Sequence, residues 1–101
     1  VMLTNNKHSR SSQDSIVFKV QVAAASDPIS LESNYFKGYE EVEEHKIADK
    51  YKYTIGSTTN YEQIQQLKQK IKKDFPGAFI VAFDHNEPIS IDKALSIKNN
   101  H

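Results

Sequence analysis

The sequence has no cysteine and no tryptophan, a single methionine, and only three glycines and three prolines in 101 residues. Without cysteine there is no disulfide, no thiolate nucleophile and no Cys-ligated zinc, and the redox compartment stays open. No apolar run approaches the roughly 18 residues of a membrane helix, and the N-terminus lacks the charged-then-apolar pattern of a secretion signal. Because the numbering starts at Val1, the chain is expected to be a piece of a longer protein. Charge of one sign is also missing: 13 Lys plus Arg balance 13 Asp plus Glu. The broad positive field that draws proteins onto nucleic acid or anionic lipid is therefore absent. A chain this short is expected to form one domain that buries roughly 60–65% of its unfolded surface, with little room for a deep active site. A binding module is favoured over an enzyme.

What is present divides into segments. Residues 1–15, VMLTNNKHSRSSQDS, have no hydrophobic period and read as a linker or tail. The domain is expected over 16–97, with 98–101 as a second tail. IVFKVQVAAAS puts Ile16, Phe18, Val20 and Val22 on one face and Val17, Lys19, Gln21 and Ala23 on the other, the period of a half-buried strand. Asp27-Pro28 interrupts it. A short helix is expected around Leu31 to Phe36, stopped by Gly38. VEEHKIADKYKYTIG reads as two strands around a turn at Ala48-Asp49, with Tyr51, Tyr53 and Ile55 opposite Lys50, Lys52 and Thr54.

Thr59-Asn60-Tyr61-Glu62 has the form of a capping box with Thr59 as cap, predicting a helix from there through Phe75, where Pro76-Gly77 ends it. AFIVAF, residues 78–83, predicts a strand buried on both faces or central in a sheet. Asp84 to Glu87 predicts a turn, PISI a short edge strand, and Asp92 to Ile97 a last helical turn capped by Asp92. The resulting β-α-β-β-α-β order predicts an α+β fold of RNP-like or ferredoxin-like type. Its four-stranded antiparallel sheet would carry two helices on one face and leave the other face open.

Chemistry-bearing residues are sparse. Of His8, His45, His85 and His101, no two sit at ligand spacing on a helix, and no metal or cofactor is expected. Glu40, Glu41, Glu43 and Glu44 read as a solvated strand or loop surface, since nothing builds a pocket that would raise one carboxyl pKa. Neither a nucleophile elbow nor a phosphate loop is present, so no catalytic residue is assigned. RNA-recognition motifs share the strand and helix order but place aromatics on the open face. Here Tyr51 and Tyr53 are expected to face the helices, and nucleic acid is not an expected partner. The open face instead carries Gln21, Lys50, Lys52 and Thr54, with small Ala23 and Ala24 beside Gln21. Such a surface is either an ordinary solvated face or a shallow groove able to bond hydroxyls, acetamido groups and carboxylates.

VQVAA (Val20 to Ala24), then YKYTIG (Tyr51 to Gly56), a capped helix and FPGAFIVAF resemble, in order and spacing, the SPOR domain, the sporulation-related-repeat module that binds peptidoglycan. The likeness covers about Ile16 to Phe83 and is nearest to the version at the C-terminus of Bacteroidetes cell-wall amidases. It implies a noncatalytic, monomeric module whose open sheet face binds glycan strands stripped of stem peptides. The module would target an N-acetylmuramoyl-L-alanine amidase, with its zinc domain outside these residues, to the periplasmic cell envelope or the division septum. Gln21 matches the family's first-strand Gln and Lys52 a basic position on the third strand; Ala24 stands where a Ser is frequent. Lys50 and Thr54 join this glycan-binding set by alternation alone. A protein-interaction domain of an envelope or division complex is the alternative.

Overall fold

The computed structural model of the chain describes residues 15–99. Five strands and two helices follow in the order β1 (Ile16–Ala25), β2 (Val42–Ile47), β3 (Lys50–Thr58), α1 (Tyr61–Ile71), β4 (Phe79–Asp84), β5 (Glu87–Ile89) and α2 (Ile91–Asn99). All pairings are antiparallel, and the sheet runs β2-β3-β1-β4-β5. The α+β class and the antiparallel sheet agree with the expectation, but the sheet has a fifth strand. PISI contributes part of it: Ile89, Pro88 and Glu87 pair with Ala82, Phe83 and Asp84.

The helix expected between β1 and β2 is a single 3-10 turn, Asn34–Phe36. Hydroxyls compete with helix formation here: Ser30 Oγ accepts from the Glu32 amide and Ser33 Oγ from the Tyr35 amide. The turn ends in left-handed Lys37 (φ 55°) followed by Gly38 (φ 83°). Phe36 still fills the place a helix would have taken, buried against Tyr53 with ring centroids 5.2 Å apart. The Tyr53 hydroxyl then ties the crossover down, accepting from the Ile29 amide at 2.6 Å and donating to Glu44 Oε2 at 2.8 Å.

α1 begins one residue later than the capping box suggests. Asn60 is the cap, its side chain accepting from the Gln63 amide at 2.9 Å, while the Thr58 hydroxyl bonds the Gln63 side chain. The helix stops at Ile71 and the chain continues as turns to Phe75, whose amide still reaches the Ile71 carbonyl. The expected last turn near Asp92 is the nine-residue α2, which takes in Lys98 and Asn99. Both helices lie on one side of the sheet. Phe18 meets Tyr61 of α1 edge-on, Lys98 of α2 lies over the same ring, and Ile64, Ile71 and Ala94 join Ile16, Phe18, Val20, Tyr53, Ile55, Ile80 and Ala82 in one core.

Two irregularities in the β1–β3 pairing bend the sheet. Between Val20 and Phe18 the third strand carries an extra residue around Gly56, and between Gln21 and Ala23 the first strand does so at Val22. Gly56 has φ +81°, and a Cβ there would sit 2.2 Å from Leu67 Cδ2 of α1, so the position demands glycine. Two-residue turns join the hairpins, at Ala48-Asp49 (φ 51° and 68°) and His85-Asn86 (φ 52° and 69°). Positive φ at both central residues is the geometry that matches strand twist.

Candidate functional site

The face without helices is concave. His45 of β2 and Phe83 of β4 stack with ring centroids 4.9 Å apart although β3 and β1 lie between them. Three strand spacings of a flat sheet amount to about 14 Å, so the sheet curls and brings β2 toward β4. Under the His45 ring lies the Thr54 hydroxyl, 2.9 Å from Nε2. Lys19 is ion-paired with Glu43, and its ammonium also lies 5.7 Å from the Phe83 ring centre. The Lys19 side chain is only 11% exposed.

Burial pushes His45 below its ordinary pKa of 6.5, the Lys19 ammonium pushes it further down, and Glu43 opposes both. The ring is therefore neutral at pH 7, a compact filling for this half of the concavity. Thr54, His45 and Glu43 do not form a nucleophile relay. The Glu43 carboxylate approaches Nε2, at 3.9 Å, which is the same nitrogen that meets the hydroxyl. A relay would need the acid on the opposite nitrogen.

The other half of the concavity is open. Across the strands, Glu43, Thr54, Gln21 and Phe79 form one row, each paired with the next. One step along β3, Lys52 is paired with His45 on one side and Ala24 on the other. The bulge at Val22 rephases β1, so Ala24 shares the face of Gln21 despite a three-residue separation. Ala23, expected beside Gln21, instead pairs with Tyr53 of the core face. Gln21, Ala24 and Lys52 thus share the concave side, and no helix covers them. Gln21 and Lys52 are half-buried and Ala24 is exposed. Among the described residues Lys52 has no ion-pair partner.

Two expected members stand differently. Thr54 points to the right face but is 1% exposed beneath His45, so it cannot touch a ligand without displacing that ring. Lys50 sits at the hairpin end, opposite Ile47 and exposed, beside the turn rather than in the row of Gln21 and Thr54. The acidic run splits by alternation. Glu40 and Glu41 are exposed in the loop, Glu43 joins the concave face, and Glu44 turns to Tyr53 on the core side.

Phe79 is the residue sequence reasoning missed. AFIVAF is expected to be buried on both faces or central in the sheet; β4 does lie inside the sheet and Phe83 at its far end is 6% exposed, but Phe79 is 50% exposed. The signal was available, because Phe79, Val81 and Phe83 alternate with Ala78, Ile80 and Ala82. His45 was also missed as part of the face, although counting back from the Ala48-Asp49 turn pairs it with Lys52.

Surface hollows of ≈ 380, 390, 360 and 580 Å³ are present, and none of these is lined by Gln21, Lys52 or Phe79. Among the described residues no three His, Asp or Glu side chains gather into a metal site, and no helix is long and apolar enough to cross a membrane. His8 and His101 lie outside the described residues. Comparison with known proteins finds no matching family model, no similar curated protein and no similar solved structure.

Proposed function

We propose that the chain is a noncatalytic glycan-binding module that holds denuded peptidoglycan strands on its concave sheet face. The observation that carries this reading is the grouping, on one face free of helices, of a primary amide (Gln21), a cation without an ion-pair partner among the described residues (Lys52) and small Ala24 opposite Lys52. An amide both donates and accepts, which suits hydroxyl and acetamido groups. A stem peptide cut from muramic acid leaves a lactyl carboxylate, and a charge-assisted bond from Lys52 gives a reason to prefer stripped strands. The sheet order β4-β1-β3-β2 supports the RNP-like relationship behind the SPOR resemblance, with β5 added outside β4 and the first helix reduced to one turn.

In this reading the module localises a cell-wall hydrolase, an N-acetylmuramoyl-L-alanine amidase, at the envelope or septum of the periplasm, and adds no catalysis of its own. Docking of a protein along the outer strand β2 is the weaker reading, since Glu43, Glu44 and Lys46 place charge on that edge and charge blunts edge pairing. The test is a pull-down with purified sacculi before and after amidase treatment. Retention that rises on the treated sacculi supports the proposal; no retention, or equal retention on both, ends it.

A further inference from the structure

A single exposed phenyl ring carries no message by itself. Phe79 gains one from its surroundings. On β4 the concave-side residues are Phe79, Val81 and Phe83. Phe83 is stacked by His45 and approached by Lys19, and Val81 is half-buried. Phe79 has neither a ring nor a cation against it among the described residues. Its cross-strand neighbour is Gln21, followed in the same row by Thr54 and Glu43. Thr54 is roofed by His45 and Glu43 is held by Lys19. The ring and the amide are the two members of the row left free to meet a ligand.

A pyranose matches that pair. The ring face that carries axial hydrogens is apolar and lies flat on an aromatic surface, while its rim carries hydroxyls and amides. Directly paired side chains stand about 5 Å apart, so one sugar can lie on Phe79 and still present its rim to Gln21. Charge then separates the face. Lys52 is two strands across and two residues along from Phe79, about 12 Å in sheet spacings. Lys19 is nearer but is neutralised by Glu43.

Resting on the glycan reading above, we infer that Phe79 is the platform of a neutral-sugar subsite, where one pyranose stacks on the ring and bonds Gln21 at its rim. Carboxylate-bearing sugars fall to the Lys52 end. The ligand class for this subsite is a β-linked N-acetylhexosamine without a free carboxylate.

The test uses the full chain with a soluble β-1,4-linked N-acetylglucosamine oligomer, which carries no carboxylate, beside denuded sacculi. Phe79→Ala is expected to weaken oligomer binding roughly tenfold, a loss of about 1.4 kcal/mol. Phe79→Tyr is expected to keep it, and saturation of the aromatic protons of the wild-type chain should transfer to the axial protons of one sugar. Thermal unfolding checks that both variants fold; should Phe79→Ala unfold, the saturation-transfer result decides. Wild-type affinity in a folded Phe79→Ala, or no transfer to axial protons, removes Phe79 while the glycan reading stands through the sacculi. Wild-type chain that binds neither glycan overturns both. Tighter binding to a single-stranded RNA homopolymer than to either glycan would identify the ring as a base-stacking surface and overturn the subsite as well.

Discussion

Gly56→Ala tests whether the bend of the sheet depends on the contact between β3 and α1. At φ +81° an alanine sits in the left-handed region, at a cost of about 1–2 kcal/mol. The narrower unfolded ensemble of alanine returns about 0.4–1 kcal/mol. The new methyl would lie 2.2 Å from Leu67 Cδ2 and 3.7 Å from Leu67 Cγ, against an ordinary carbon contact of about 3.5–4.0 Å. Relief requires Leu67 to leave its rotamer or α1 to lift, which costs about 1–3 kcal/mol as overpacking. The net expectation is a loss of about 2–3 kcal/mol, or a fall in Tm of about 10–20 °C for a domain of this size. Urea unfolding followed by circular dichroism measures it in wild type, Gly56→Ala, Leu67→Ala and the double variant. In the Leu67→Ala background the glycine substitution should cost only the backbone strain, about 1 kcal/mol. A single variant within about 0.5 kcal/mol of wild type, or a strictly additive cycle, would refute the close packing of Gly56 under α1.

Further outcomes follow from the concave cluster and the turns. Because burial and Lys19 lower His45 below 6.5, the unfolded chain binds a proton near 6.5 that the folded chain takes up only at lower pH. Its contribution to stability is complete above 6.5 and is lost as pH falls from 6.5 toward the folded value. The urea midpoint of wild type should therefore drop more steeply than that of His45→Gln when pH is lowered through 6.5, and parallel profiles would contradict the lowered pKa. Ala48 occupies φ 51° without the amide or glycine that the turn favours, so Ala48→Asn should raise stability by about 0.5–1 kcal/mol in thermal unfolding. Gln21→Glu should weaken retention on denuded sacculi, because a carboxylate cannot donate to the sugar rim as the amide does. Its Tm should change little because the side chain is only half-buried, and unchanged retention would move the groove elsewhere.

The strands were legible wherever the period of two ran undisturbed. Ile16 to Val20 and Tyr51 to Ile55 announced the core face, and Ala48-Asp49 announced its turn. The first helix was misread because the Ser30 and Ser33 hydroxyls bond the neighbouring backbone, an effect that a hydrophobic pattern does not carry, whereas its stop at Gly38 was legible. The candidate site was partly legible for a similar reason. Gln21 and Lys52 lie on one face by alternation, yet the bulge that brings Ala24 to that face and sends Ala23 away has no signature in AAAS. Thr54 was aimed correctly, but its burial depends on His45 reaching across a curled sheet. That curl is a sum of local irregularities with long-range effect, and no short stretch of sequence records it.

The crossover from Ser26 to Glu41 has no ladder and no full helix; it is held by a one-turn coil, by buried Phe36, by the Ile29 amide on the Tyr53 hydroxyl, and by Tyr35 and Tyr39 against Phe75, with the Tyr39 hydroxyl on Asp74. The amides of Glu32, Ser33, Tyr35, Phe36, Lys37 and Tyr39 bond within the segment, so it can detach from the sheet without any strand pair coming apart. Such a segment exchanges its amide hydrogens early while Phe18, Val20 and Ile55 remain protected. It is also the place where this domain can absorb added residues, because lengthening a connection that belongs to no ladder costs little closure entropy.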